Sequence, residues 1–207
     1  MKVTIITASY NSAANIKTCI DSVINQDYNN IEYLIIDGKS SDDTMTIVKQ
    51  YQQNQSFIKV TSDPDNGIYD ALNKGIQIAS GDIIGFVHSD DVLVSNTIVT
   101  EISQKIIDDK LDGAYGDVLN VLNNDLNIIT RYWKSSHFNS KLLKRGWMPP
   151  HPSLFLKKSV YNKYGLFNLN YKIAGDYDFM LRIFKDEKLK FGYLPIVTRK
   201  MRQGGAS

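Results

Sequence analysis

The chain contains little cysteine and no long apolar run, and both shortages limit what the protein can be. Its 207 residues include one cysteine, Cys19, which excludes an internal disulfide and is typical of a reducing compartment. No apolar stretch approaches the roughly 20 residues of a membrane-spanning helix. The N-terminus, MKVTIITASYNS, has too few apolar positions for the core of a signal peptide. We therefore expect a cytoplasmic protein with Cys19 in its core.

Arginine is absent from residues 1–130, which makes the charge very uneven along the chain. This part carries 8 lysines against 18 acidic residues, a net charge of −10. Residues 131–207 carry 16 basic against 4 acidic residues, a net charge of +12. The separation predicts either an anionic partner near the C-terminal half or opposite charges that meet within the fold. No nucleic-acid-binding motif is present, so we expect no nucleic acid partner.

Glycine-rich phosphate loops are also missing. The first apolar run continues into TASYNSAAN, residues 7–15, which lacks G-x-G-x-x-G and therefore argues against a Rossmann oxidoreductase. The same stretch lacks the glycine-rich basic loop expected of a nucleotidyltransferase that makes nucleotide sugars. Such a nucleotidyltransferase and a non-catalytic nucleotide-sugar-binding module are kept as two alternative functions of the chain.

The first 110 residues alternate between strand-like and helix-like patterns. Strand patterns occupy residues 3–9, 31–37, 57–62 and 82–87. Helical patterns occupy residues 13–26, 69–79 and 96–107, and a further helical segment carries Met45, Val48 and Tyr51. Asn11 or Ser12 is predicted as the N-cap of the first helix. This alternation predicts an α/β fold with a mostly parallel central sheet flanked by helices.

Beyond residue 110 the pattern becomes mixed, and no linker separates a second domain. Residues 113–122 and 127–133 are compatible with a hairpin, and residues 190–197 with a strand. A helix is predicted over residues 175–187, with Tyr177, Met180, Leu181 and Phe184 on its apolar side. We expect one domain over residues 1–207.

Polar side chains gather where the predicted strands end. They are Ser9, Tyr10 and Asn11 after the first strand, Asp37 after the second, and Asp90 and Asp91 after the fourth. Ligands of such sheets bind at the carboxyl ends of the strands, so these clusters predict one site. Two carboxylates can supply the minimal protein ligands of Mg²⁺, although Asp90 and Asp91 could instead cap the next helix and Asp37 could form a turn. His88 and His137 are interpreted as structural or solvated residues rather than metal ligands.

Four segments in order carry a family resemblance. They are TASYNS (7–12), IIDGKSSDDT (35–44), DNGIYDALNKGIQIASGDIIGFVHSDD (65–91) and AGDYDFMLRI (174–183). With them the chain resembles the family 2 glycosyltransferases, and in particular bacterial enzymes of exopolysaccharide and colanic-acid-type assembly. The resemblance implies the GT-A (nucleotide-diphospho-sugar transferase) fold, with residues 1–110 binding the nucleotide sugar and a mixed acceptor-side region over residues 111–207. It also implies inverting transfer of a sugar, with UDP the expected nucleotide, to a hydroxyl acceptor, assisted by Mn²⁺ or Mg²⁺.

The resemblance also implies a role for each matching residue. The nucleotide would be bordered by Ser9, Tyr10 and Asn11, with Tyr10 on the base, and Asp37 would accept a hydrogen bond from the base. The diphosphate-ribose side would be lined by Asp65, Gly67, Asn73 and Lys74. The donor and the metal would be held by Asp90 and Asp91, and Asp176 would be the catalytic base. The acceptor would be a glycan or a lipid-diphosphate-linked sugar, with peripheral contact at the inner face of the membrane. Lys157, Lys158, Arg199 and Arg202 would meet the diphosphate of donor or acceptor.

Three departures from the family pattern stand out. His88 occupies a position where many relatives have aspartate, which leaves metal binding to Asp90 and Asp91, and mainly to Asp91. Gly175 precedes Asp176 where relatives usually have glutamate. The sequence ends at RQGGAS where relatives usually continue, so we expect a truncated C-terminus. Asp178 is interpreted as a carboxylate that stabilises the helix N-terminus rather than as the base.

Overall fold

One mixed sheet runs through the computed structural model, which describes residues 1–204. Its strands are β1 (Val3–Ser9), β2 (Ile31–Asp37), β3 (Ile58–Ser62), β4 (Ile83–Phe86), β5 (Val92–Leu93), β6 (Gly113–Leu122), β7 (Asp125–Trp133), β8 (Phe155–Lys157) and β9 (Phe191–Arg202). The strand order is β3-β2-β1-β4-β8-β6-β9-β5, and β7 pairs with β6 outside this path. The final Gly-Ala-Ser of the RQGGAS terminus lies outside the described residues.

Seven α-helices and one 3₁₀ turn connect the described strands. They are α1 (Ile16–Ile24), α2 (Thr44–Asn54), α3 (Ile68–Ile78), α4 (Ile98–Asp108), α5 (Ser140–Leu143), α6 (Lys158–Tyr164), α7 (Gly175–Phe184) and the 3₁₀ turn His151–Ser153. Among residues 1–204, no helix combines the length and apolar character needed to cross a bilayer.

The predicted parallel sheet is confirmed for β3, β2, β1 and β4. In this register Ser9 stands beside Asp37, and Asp37 stands beside Ser62. The carboxyl ends of the strands therefore meet at one edge. The mixed second half is confirmed too, since β8 runs antiparallel to both β4 and β6, and β6 and β7 form the predicted hairpin.

Apolar residues fill two cores, one on each face of the sheet. Because successive strand residues point to opposite faces, Ile5 of β1 packs with α1 and α4 while Ile6 packs with α3 and α7. Cys19 lies in the first core with no exposed surface, as the helical spacing predicted. Burying β1 from both sides explains why VTIITAS is an almost continuous apolar and β-branched run rather than an alternating one.

Three local predictions were wrong in detail. The residue at the N-cap position of α1 is Asn15, because the carbonyl of Ser12 accepts bonds from a turn that precedes the helix. The buried side of α7 is formed by Phe179, Met180, Ile183 and Phe184, whereas Tyr177 and Leu181 are only half-buried. Strand β9 continues to Arg202, because β6 offers it a parallel partner over almost its full length.

Candidate functional site

A cleft of about 680 Å³ opens at the carboxyl edge of the parallel strands. Loops after β1, β2, β3 and β4 form most of its wall, and the end of β9 closes one side. The lining includes eight of the residues that the sequence predicted: Ser9, Tyr10, Asn11, Asp65, Gly67, Asp90, Asp91 and Arg202. Asp37, Asn73 and Lys74 lie behind this wall, and Asp176 lines an adjoining cavity.

The loop after β1 presents an aromatic ring to the cleft. The side chain of Tyr10 is 66% exposed, more than those of the exposed Tyr132 and Tyr171. Asn11 follows with a φ of 47°, and its backbone N–H donates to Ser40 Oγ at 2.8 Å. The side chain of Asn11 accepts a hydrogen bond from the backbone of Ser41 at 2.9 Å. These bonds fix the loop, so the ring of Tyr10 stands free at the mouth of the cleft.

Asp37 lies fully buried at the end of β2. Its carboxylate accepts four hydrogen bonds: from Ser9 Oγ at 3.1 Å, from Ser62 Oγ at 2.7 Å, and from the N–H (2.9 Å) and hydroxyl (2.5 Å) of Ser40. Four donors occupy the acceptor positions of a carboxylate. A base N–H could reach Asp37 only by replacing one of them, so a direct bond to the base stays a prediction. What Asp37 does in this structure is tie together the ends of three strands.

The loop after β3 brings Asp65 and Gly67 into the wall. Asp65 Oδ1 accepts the backbone N–H of Gly67 at 2.9 Å, and Gly67 has a φ of 109°, which favours glycine. Asn73 turns away, because its amide makes two 2.9 Å hydrogen bonds to the backbone of Phe167. Lys74 Nζ donates to the carbonyl of Pro64 at 2.8 Å. Asn73 and Lys74 therefore support the wall from behind.

The acidic pair after β4 supplies free carboxylate oxygens. Asp91 is fully buried, and neither of its carboxylate oxygens has a hydrogen-bond partner within residues 1–204. Burial raises the pKa of Asp91 to about 8, against the opposing positive charge of Arg199, and burial also raises the pKa of Asp90. Unpaired buried carboxylate oxygens are costly unless something binds them. The pair therefore fits a hard divalent cation.

The part of the chain that the structure describes has no cluster of three or more His, Cys, Asp or Glu side chains placed to hold a metal. A cation at Asp90 and Asp91 would take its other ligands from substrate phosphates and water, which is the usual environment of Mg²⁺.

Two arginines of β9 lie near this acidic pair, Arg199 behind the wall of the cleft and Arg202 in its lining. Arg199 has no exposed surface, and its Nη1 donates to the carbonyl of Phe86 at 2.6 Å. Arg202 donates to the carbonyl of Asp90 at 2.5 Å, to the carbonyl of Asn123 at 3.0 Å and to Thr18 Oγ1 at 3.1 Å. Arg199 is sealed in the core. The bond from Arg202 to the carbonyl of Asp90 fixes the loop that carries Asp90. Arg202 uses three of the five N–H donors of its guanidinium, so its contact with a diphosphate stays a prediction.

A second cavity of about 120 Å³ adjoins the cleft. His88 lines both cavities, and burial lowers its pKa to about 3, so it is neutral. The apolar part of the second wall is formed by Ile68, Leu72, Trp133, Met148, Pro149, Pro152, Ile173, Met180 and Met201. Lys172 and Asp176 supply its charged groups, while burial keeps His151 neutral by lowering its pKa to about 3. His137 is exposed, as expected of a solvated residue.

Asp176 stands in the first turn of α7. Its Oδ1 accepts the backbone N–H of Tyr177 at 2.8 Å and lies 3.1 Å from the hydroxyl of Tyr69. Asp178 forms an ion pair with Arg182 one turn later, at 3.1 Å, and does not line the cavity. The interpretation of Asp178 as a helix carboxylate agrees with this contact.

Lys157 and Lys158 were wrongly assigned to the site. Lys157 pairs with Ile83 at the start of β4, whereas the cleft lies beyond the opposite end of that strand. Lys158 donates to the carbonyl of Ala79 at 2.5 Å. Within residues 1–204, the ion pairs join residues of the same half of the chain, so opposite halves do not neutralise each other through direct pairs.

Sequence reasoning missed Tyr69, Trp133 and His151. Tyr69 lies inside a motif already noted for its other residues, so its position was a usable signal. Trp133 and His151 come from a hairpin and a proline-rich loop whose placement depends on long-range strand pairing, and no local pattern indicates it.

Comparison with known proteins agrees with this architecture. A mycobacterial PGL/p-HBAD biosynthesis glycosyltransferase (Mycobacterium bovis) is 28% identical over 203 residues, which cover 97% of this chain and 77% of the relative. The structure of S. aureus TarS residues 1–349 in complex with UDP-GlcNAc superposes with a TM-score of 0.81 at 21% identity, covering 98% of this chain and 59% of that one.

A mannosyltransferase of Pyrobaculum calidifontis, PcManGT, in complex with GDP-Man and Mn²⁺, superposes with a TM-score of 0.73 at 15% identity, covering 99% of this chain and 58% of that one. The chain thus spans about three fifths of these solved chains, and both likenesses support the GT-A fold. The family model described as glycosyl transferase family 2 matches residues 4–185. The chain belongs to glycosyl transferase family 2.

Proposed function

We propose that the protein is an inverting glycosyltransferase that moves a sugar from a nucleoside diphosphate to a hydroxyl acceptor. The observation that carries the proposal is the pair of adjoining cavities that share His88. One cavity contains an exposed aromatic ring and unpaired carboxylates, and the other contains a single carboxylate in an apolar wall. A donor and an acceptor bound in the two cavities would meet near His88, between the acidic pair and Asp176.

The larger cavity is the proposed donor site. The exposed ring of Tyr10 would stack on the base, and Ser9, Asn11, Asp65 and Gly67 would border the nucleoside and diphosphate. We propose UDP as the nucleotide, since a uracil ring matches the area of one tyrosine ring. The TarS complex contains UDP-GlcNAc and the mannosyltransferase complex contains GDP-Man, so this fold accommodates both nucleotides.

Asp90 and Asp91 would hold a divalent cation together with the donor diphosphate. Bound there, Mg²⁺ or Mn²⁺ supplies Lewis-acid stabilisation of the negative charge that develops on the leaving diphosphate. Arg202 holds the carbonyl of Asp90 and so keeps the loop in place for this role. The Mn²⁺ in the mannosyltransferase complex supports a divalent cation for this fold.

Asp176 is the proposed catalytic base. Its carboxylate takes the proton of the acceptor hydroxyl while the acceptor oxygen bonds to the anomeric carbon. The bond from that carbon to the diphosphate oxygen breaks at the same time, and its electron pair leaves with the diphosphate. One base and a single displacement invert the configuration, in contrast to hydrolases that flank the bond with two carboxylates.

The smaller cavity is the proposed acceptor site. Its apolar side chains and neutral histidines suit an uncharged sugar or other hydroxyl-bearing ring, so the diphosphate of a lipid-linked acceptor would lie outside it. We propose a glycan or lipid-linked sugar of bacterial surface polysaccharide or glycolipid synthesis as the acceptor. The activity would be located in the cytoplasm, with peripheral contact at the inner face of the membrane.

Asp176→Asn tests the proposed base. We expect transfer to be abolished while the dissociation constant for UDP changes by less than about threefold, well under 1 kcal/mol. Asp178→Asn is the matched control, because it removes the next carboxylate of α7 without touching the cavity. Radiolabelled sugar transfer and calorimetric titration of UDP measure the two quantities. A fully active Asp176→Asn protein would contradict the assignment, and an inactive Asp178→Asn protein would move the base to Asp178.

A further inference from the structure

We infer that Tyr69 is a positioning residue that orients Asp176 and links its ionisation to the wall of the acceptor cavity. The inference rests on the proposed role of Asp176 as the base. Tyr69 is the second residue of α3, and its ring packs against that of Phe167 with centroids 5.5 Å apart. Tyr69 thus belongs to the helix that lines the donor cleft, and its hydroxyl reaches Asp176 on α7.

The hydroxyl of Tyr69 has two acceptors and one proton. Its oxygen lies 2.5 Å from the carbonyl oxygen of Ile173 and 3.1 Å from Oδ1 of Asp176. Oδ1 of Asp176 also accepts the backbone N–H of Tyr177 at 2.8 Å, whereas Oδ2 accepts no hydrogen bond from residues 1–204. The oxygen left for an acceptor hydroxyl is therefore Oδ2, and Tyr69 holds the opposite side of the carboxylate.

The single proton makes this contact sensitive to the state of Asp176. While the carboxylate is ionised, it competes with the carbonyl of Ile173 for the hydroxyl proton of Tyr69. Once Oδ2 has received the acceptor proton, the negative charge is gone and the hydroxyl donates to Ile173 alone. Burial and the negative charge of Asp176 raise the pKa of Tyr69 to about 12, so the hydroxyl keeps its proton throughout.

Gly175 makes the arrangement possible. A Cβ atom at this position would lie 2.9 Å from Cδ2 and Cε2 of Tyr69, closer than a side chain can approach without moving the ring. The absence of glutamate before Asp176 therefore has a structural reason, because the ring of Tyr69 fills the space that a larger side chain would need. Ile173 and Lys172 line the acceptor cavity. The hydroxyl of Tyr69 therefore contacts both a residue of the cavity wall, Ile173, and the proposed base, Asp176.

Tyr69→Phe is the direct test, because it keeps the ring against Gly175 and removes only the hydroxyl. Losing a hydrogen bond to the ionised carboxylate favours the protonated form, which is inactive as a base. We expect kcat to fall about tenfold at neutral pH and the acidic limb of the kcat–pH profile to move to higher pH. The UDP dissociation constant should stay unchanged, which a general structural defect would not allow.

Two further variants complete the test. Tyr171→Phe is the matched control, because the hydroxyl of Tyr171 makes no hydrogen bond within residues 1–204, and its kinetics should equal those of the wild type. Gly175→Ala displaces the ring and should also lower kcat. In a Tyr69→Phe background the ring is still displaced, but the part of the kcat loss that acts through the hydroxyl should be absent, so the two losses should be less than additive.

The inference is overturned if Tyr69→Phe leaves kcat and the acidic limb unchanged, or if it weakens UDP binding as much as it lowers kcat. Asp176→Asn separates this failure from failure of the proposed function. An active Asp176→Asn protein would refute the assignment of Asp176 as the base. An inactive Asp176→Asn protein together with a Tyr69→Phe protein of normal kinetics would refute only the role of Tyr69.

Discussion

Replacing Asp37 by asparagine separates a structural carboxylate from one that contacts the base. The fully buried carboxylate accepts four hydrogen bonds, two from Ser40 and one each from Ser9 and Ser62. An asparagine amide keeps one acceptor oxygen and presents N–H groups where the other oxygen stood. Two bonds to a charged acceptor are lost, each worth about 1.5–3 kcal/mol. The serine hydroxyls can turn, but the backbone N–H of Ser40 cannot.

We therefore expect Asp37→Asn to lower the free energy of unfolding by about 2–4 kcal/mol. This is less than the full value of the two lost bonds, because the serine hydroxyls can rotate to form new hydrogen bonds. Urea denaturation followed by circular dichroism measures this directly. UDP affinity should fall as a consequence, because Ser9 lines the donor cleft.

Ser62→Ala is the control for this prediction. Ser62 donates to Asp37 but lies outside the cleft lining. Because Ser62 is exposed, this variant should cost about 1.5 kcal/mol, the low end for a bond to a charged acceptor, and leave UDP binding unchanged. An Asp37→Asn protein as stable as the wild type, with UDP affinity reduced tenfold or more, would refute this reasoning and favour a direct bond from Asp37 to the base.

Three other perturbations follow from the structure. Asp91→Asn should weaken Mn²⁺-dependent UDP binding about tenfold or more, on the order of 1.4 kcal/mol, in calorimetric titrations with and without the metal. Equal UDP affinities of the variant and the wild type in the presence of Mn²⁺ would contradict the metal assignment. Burial raises the pKa of Glu32, but Lys59 and neighbouring donors outweigh it and lower the pKa to about 2. The ionised carboxylate should therefore contribute about 2 kcal/mol to the free energy of unfolding above pH 4.5, a value discounted because Lys59 is exposed, and this contribution should disappear towards pH 2. Glu32→Gln should flatten this pH dependence in urea unfolding. Gly85→Ala places a Cβ 2.2 Å from the ring of Phe155 and should destabilise the core by about 1–3 kcal/mol in the same unfolding assay, and an unchanged midpoint would show that the ring can move aside.

The first half of the fold could be predicted from the sequence because its signals are local. The run VTIITAS and the apolar spacing around Cys19 each specify one element, and the parallel arrangement follows from their alternation. The clustering of Ser9, Asp37 and Asp91 near one edge also follows, since parallel strands end together. Local patterns were enough to find the cleft.

The second half depends on pairings between distant segments. Nothing in the sequence of β8 indicates that it enters the sheet between β4 and β6, and this insertion sends Lys157 to the edge opposite the cleft. The partners of Asp37 were likewise unpredictable, since Ser9 and Ser62 come from two other strands. Charge and motif position suggested candidate residues, but only the sheet register determines which of them face the cavity.

Strand β9 has a consequence for how the chain acquires its site during synthesis. Arg202 contacts Thr18, 184 residues earlier, and also the loop of Asp90, so the cleft is closed by the last described strand. At about 5–20 residues per second, a ribosome needs roughly 5–20 seconds to proceed from residue 110 to residue 202. During this interval β1 to β4 are available to pair, while the acidic loop lacks its arginine support. A nascent chain can therefore pair half of its sheet well before the proposed donor cleft is closed.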